Sequence, residues 1–179
     1  MALRGVTLPG IRAAGVATAA QFSAGTGLAI SGWSVSASNA GGFYTAPIKL
    51  PSDYDVTRPG YLYNFLRNSI ASAAAGLAFH LEQRISFGQP TAAMARLDID
   101  IDVAVPNPWA AGDTMDLLFD SDVAPVGYSI PAHSLDPEDW IGVRVFRDPA
   151  NANDTYPNAI NFASAVLLEY HPRCQRPCC

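Results

Sequence analysis

The sequence predicts an all-β protein, an antiparallel two-sheet sandwich of jelly-roll type, and three observations carry that prediction. Apolar and polar residues alternate strictly along Leu77–Phe87 and Leu97–Val105, which is the two-residue period of a half-buried strand. About eight or nine such segments recur at intervals of roughly 10 to 15 residues, with turn residues between them. No amphipathic helical pattern separates them, as parallel βαβ units would require.

Along the chain, the first 28 residues are rich in Ala, Gly, Ser and Thr and are broken by Pro9 and Gly10, so neither period survives there. They predict an extended N-terminal arm, with Arg4 and Arg12 as its contact residues. Pro9, Gly10 and Arg12 also interrupt the apolar stretch that a secretory or transit segment needs, so no cleaved leader is expected. Too few large apolar side chains lie in the arm to form a core of its own, and contact with a neighbour is expected to order it.

The sandwich domain is expected to span residues 29–170, followed by a tail over residues 171–179. Besides the two alternating strands, strands are predicted at Ile30–Ser36, Phe43–Leu50, Tyr61–Ile70, Thr114–Phe119, Val126–Ile130, Ile141–Arg147 and Ala159–Tyr170. Turn chemistry separates them at Pro51-Ser52-Asp53, Arg58-Pro59-Gly60, Pro106-Asn107-Pro108, Ala111-Gly112-Asp113 and Asn151–Pro157. Ser69–Gly76 is the one place for a short helical turn.

The chain has 179 residues, 49% hydrophobic and 15% charged, so it can build a core without disulfides. It has no apolar run long enough for a membrane span. A net charge of -5 argues against duplex nucleic acid as a partner, which needs clustered cations. That net value hides a division. Residues Met1–Ser52 hold Arg4, Arg12 and Lys49 and no acid, whereas Leu97–Val143 holds ten acids and no Lys or Arg. A chain polarised in this way is attracted to copies of itself or to a similarly polarised partner.

No catalytic signature is present, and neither an enzymatic activity nor a cofactor is expected. Asp98, Asp100 and Asp102 resemble a calcium loop, but the Gly that would turn the chain is replaced by Val103. In a strand the outer two carboxylates lie about 13 Å apart, so no metal is expected on them and a solvated or Arg-paired strand face is. His133, Ser134 and Asp136 lie too close in sequence to form a hydrolytic triad. Neither His80 nor His171 has a visible partner, and His80 is expected on a solvated strand face. Asn153-Asp154-Thr155 is a glycosylation sequon, with meaning only on a secretory route. Trp33, Tyr61, Tyr63, Trp109 and Trp140 are candidates for a sugar-binding platform or for ordinary core and rim packing. Cys174, Cys178 and Cys179 all lie in the last six residues, where they cannot staple the fold. Three readings stand for them: free thiols, intermolecular disulfides that join subunits, or part of a zinc site.

The segments Ala46–Asp55 (APIKLPSDYD) and Asp148–Tyr170 (DPANANDTYPNAINFASAVLLEY) resemble those of small β-sandwich structural proteins of tailed bacteriophages. In such proteins a Pro-Asp-Tyr type of turn leads into strands. A late strand ending in Arg-Asp, here Val143–Asp148, precedes an Asp-Thr-Tyr turn, here Asp154-Thr155-Tyr156, and a last apolar strand. The resemblance covers about residues 46–170 and implies a non-enzymatic virion component, often a homotrimer: a head decoration (cement) protein, a head fibre or a tail accessory protein. Its leading implication is a decoration protein on the capsid surface that bridges subunits of the major capsid protein, with Arg4 and Arg12 in contact with the shell. The alternative is a receptor- or carbohydrate-binding sandwich of a tail or head fibre.

Overall fold

The computed structural model describes residues 2–24, 28–68, 75–89, 94–111, 113–119, 129–130 and 132–173. Among them the regular elements are all strands: β1 (Arg4–Gly15), β2 (Ala17–Ala24), β3 (Leu28–Val35), β4 (Gly41–Thr45), β5 (Ile48–Lys49), β6 (Gly60–Asn68), β7 (Ala78–Gly88), β8 (Ala95–Ala104), β9 (Thr114–Phe119), β10 (Ser129–Ile130), β11 (Trp140–Arg147) and β12 (Ile160–Tyr170). The protein is an all-β antiparallel sandwich, as its alternation predicts. No helix of the described residues is long and apolar enough to cross a membrane. The possible turn of helix at Ser69–Gly76 falls largely on residues outside the described ones.

Two sheets face each other. In sheet A, β12 lies between β6 on one flank and, on the other, β3 and the first half of β1. Strand β2 pairs β3, and β9 and β10 pair the far side of β6. Sheet B runs β1-β4-β11-β7-β8, with β5 beside β11. Inward residues of both sheets form one core. Phe43 of β4 and Phe162 of β12 meet across it with ring centroids 6.1 Å apart. Phe79, Trp109 and Tyr156 cluster at 5.6 to 6.2 Å.

Strand β1 belongs to both sheets, and this corrects the expectation of an arm. Arg4–Pro9 pairs Tyr170–Ala165 of β12, and Gly10–Gly15 pairs Thr45–Gly41 of β4. Leu8 is fully buried and Ala14 nearly so. Pro9 and Gly10, which hide the strand in the sequence, are what allow the crossing. Proline has no N–H to give a ladder, and at the bend only its carbonyl is used, accepting from Ala46 N at 2.7 Å. A side chain on Gly10 would sit 2.8 Å from Phe43 Cδ2 and 3.0 Å from the Ser164 carbonyl, so only glycine lets the strand pass between the sheets. The sandwich therefore begins at β1 rather than at residue 29.

The Arg-Asp and Asp-Thr-Tyr segments form a buried clamp at the end of β11. Arg147, 0% exposed, donates through Nε and Nη2 to the two oxygens of Asp154, each at 2.7 Å. It also donates to the carbonyls of Asn158 at 2.7 Å and Tyr156 at 2.6 Å. Asp154 accepts from His80 N at 3.2 Å as well. A buried ion pair repays its desolvation only when its remaining donors and acceptors are matched, as they are here. The clamp ties the loop between β11 and β12 to β7.

Candidate functional site

The candidate site is the outer face of sheet B, where cross-strand register assembles side chains that lie far apart in sequence. One row crosses five strands: Arg12 on β1, Tyr44 on β4, Arg144 on β11, Arg84 on β7 and Asp98 on β8. The next row brings Phe146 of β11 beside Glu82 of β7 and Asp100 of β8. Residues directly opposite across antiparallel strands are contact neighbours, so each row is a continuous ladder of side chains.

The charged groups of the ladder are largely matched, with Arg144 Nε buried and without a hydrogen-bond partner. Arg84 donates through Nε to Asp98 at 2.5 Å, and Arg96 Nε lies 3.0 Å from the other oxygen of Asp98. Arg144 donates to Glu82 at 2.6 Å while its guanidinium lies 4.6 Å from the centroid of the Phe146 ring. The Arg12 guanidinium lies 4.7 Å from the Tyr44 ring centroid. The hydrogen bond from Arg84 holds the Asp98 carboxyl below its usual range and raises the Arg84 guanidinium in turn. Glu82 and Asp100 stand opposite each other with like charge, and Arg144 on Glu82 offsets that repulsion.

Arg84 and Arg144 form a ridge between two depressions. One, of about 220 Å³, is lined by them with Glu82, Asp98 and Asp100. The other, of about 160 Å³, is lined by them with Tyr44, Pro47, Ser86 and Met94. The face thus sets planar donors and carboxylate acceptors beside aromatic and apolar surface. Among the described residues no group of three His, Cys, Asp or Glu side chains is placed to hold a metal.

The residues singled out in the sequence are distributed differently. Arg4 lies on the sheet A half of β1 and pairs with Asp53, which also accepts from the Tyr170 hydroxyl at 2.9 Å, so it fastens the fold's own β1 and β12. Arg12 joins the ladder. Asp98 and Asp102 lie on an Arg- and His-paired strand face. His80 differs from expectation: it is buried, with Nδ1 2.7 Å from Asp102 Oδ1, and Asn153 donates to the other oxygen of Asp102 at 2.7 Å. The clamped loop between β11 and β12 covers this pair. The five aromatic candidates do not make one platform. Trp109 is core, stacked on Phe79, Tyr61 and Tyr63 share β6, where Tyr61 meets the His171 ring edge-on, Trp33 lines a separate groove beside Gly10, and Trp140 opens β11. Cys174, Cys178 and Cys179 lie outside the described residues.

No family model and no curated protein matches the chain. Solved structures with a similar fold include the enzymatically active domain of tailspike protein 4 of bacteriophage CBA120, at 11% identity and a TM-score of 0.45, with 92% of this chain and 19% of that one covered. A carbohydrate-binding module from the β-sandwich superfamily overlaps at 14% identity and a TM-score of 0.42, over 90% of this chain and 55% of its own. The structure of infectious bursal disease virus strain Gt overlaps at 11% identity and a TM-score of 0.38, over 94% and 32%. This chain spans well under two thirds of the length of each, and overlap at this level assigns no family, site or ligand.

Proposed function

We propose that this chain is a non-enzymatic β-sandwich of a tailed-phage virion that works by surface recognition, with the outer face of sheet B binding an uncharged polysaccharide. The observation that carries the reading is the internal matching of that face. Arg12, Arg84, Arg96 and Arg144 stand on the same face as Glu82, Asp98, Asp100 and Asp102 in equal number, so neither an anionic nor a cationic ligand is favoured. A sugar hydroxyl both donates and accepts, so it can join a guanidinium–carboxylate pair without leaving a charge unmatched. Tyr44 and Phe146 add apolar ring surface for the C–H face of a sugar. Placement in a virion rests on the segments Ala46–Asp55 and Asp148–Tyr170. Electrophoresis of the protein through gels containing neutral or acidic polysaccharides tests the reading. Retardation by a neutral polymer, lost in Arg84→Ala, is expected. Retardation only by acidic polymers, relieved by salt, or by none, contradicts it.

A second reading is capsid decoration by a homotrimer that bridges subunits of the major capsid protein, with the cysteine tail joining subunits. The observation that favours it is that, among the described residues, neither edge of sheet B has a strand beside it. In this form the N-terminal segment takes part as a strand of the sandwich, not as a free arm.

A further inference from the structure

We propose that sheet B continues from one copy of the chain into the next, the β1 edge of one subunit docking against the β8 edge of a second copy. This deepens the homo-oligomeric reading by naming its surface. Sheet B ends in Gly10–Gly15 of β1 on one side and in β8 on the other, and among the described residues neither outer side has a strand beside it. Its five strands alternate in direction, so the two edges run the same way, and a head-to-tail contact pairs them in parallel.

The edges are chemically opposite. At the β1 edge Ile11 and Val16 are each 62% exposed, and Arg12 stands among them in a segment with no acid. The register shift between Gly10 and Arg12 throws Ile11 out of the ladder, leaving a short regular stretch after it. The β8 edge presents Asp98, Asp100 and Asp102 at alternate, exposed positions after a single cation, Arg96, so it is acidic on balance. A β8 edge facing its own copy sets acid against acid, and a β1 edge facing its own copy sets Arg12 against Arg12. Only the unlike contact is attractive, so charge selects a heterologous interface over a two-fold one. The row that starts at Arg12 and ends at Asp98 is then followed by the Arg12 of the next copy, so the recognition ladder runs on across the boundary. A heterologous contact closes into a ring when its rotation divides the turn.

Sedimentation equilibrium of the full chain, with reductant to remove any disulfide, tests the edges by charge reversal. Arg12→Glu and Asp100→Lys should each weaken association by at least about tenfold. The double variant Arg12→Glu/Asp100→Lys, which restores the opposite signs, should recover it. Circular dichroism melting of each variant shows whether the sandwich is intact. An oligomer indifferent to both single reversals, or a double variant weaker than either single one, overturns the edge contact while leaving the oligomer standing. A wild-type chain that is monomeric at its highest soluble concentration overturns both.

Discussion

Two sets of arginine–carboxylate pairs in this molecule share chemistry and differ in surroundings. Arg147 and Asp154 are both essentially excluded from water, and every polar neighbour is aimed at them. Arg84 and Asp98 lie on the open face of sheet B with side chains 35% and 39% exposed. In the first set, removal of either partner strands a charge where water cannot reach it. In the second, water replaces whatever is removed. The buried pair therefore belongs to stability, and the exposed pairs contribute little to folding.

The largest effect is expected at the buried pair. Arg147→Ala or Asp154→Ala should each cost about 3–5 kcal/mol in urea unfolding, since each leaves an unmatched buried charge. Replacing both partners with apolar residues, Arg147→Met with Asp154→Leu, should cost less than either single change. Next is β1. Leu8→Ala should cost about 2–5 kcal/mol, the range for a fully buried leucine, and removal of residues 1–15 should abolish cooperative unfolding, because β1 stitches the two sheets together. An arm outside the sandwich would give no loss in either test.

Smaller effects are expected on the open face. Arg84→Ala should change stability by no more than about 1 kcal/mol. Its carboxylate partner gives a pH test. Hydrogen bonding from Arg84 depresses the folded-state Asp98 carboxyl, so the pair's small contribution is present above the ordinary aspartate value and is lost as pH falls through the lower folded value. Carbon-detected NMR titration should find Asp98 below the usual range, and returned toward it in Arg84→Ala. Smallest of all, Cys174→Ser, Cys178→Ser and Cys179→Ser together should leave the melting temperature of the sandwich unchanged, since a link confined to a terminal tail constrains little of the unfolded chain. If the cysteines join subunits, the same variant should lose its disulfide-linked species on non-reducing gels.

Legibility in the sequence followed how local each signal was. Strands β7, β8 and β11 were readable because their alternation is complete within the strand. Strand β1 was not, since the Pro9-Gly10 break that resembles a loop is the point where it changes sheets, and its small residues carry no visible period. The clamp was visible only as a recurrent pattern of Arg-Asp and Asp-Thr-Tyr. Its physical reason, burial of Arg147 among carbonyls, depends on how the loop folds back. The proposed recognition face needs register between five strands, which no single segment encodes. One part was within reach: a solvated or Arg-paired face was expected for the aspartates, and the register of the β7–β8 hairpin would have named Arg84 as the partner of Asp98 and His80 as that of Asp102.

The central claim, that the open face of sheet B is for recognition while the buried pair is for folding, is tested most directly by measuring stability and ligand binding on the same variants. Isothermal titration with a soluble neutral oligosaccharide, selected by gel retardation, should show binding lost in Arg84→Ala and in Tyr44→Ala while both melt within a few degrees of the parent. Undiminished binding in both variants, with melting equally unchanged, would contradict it.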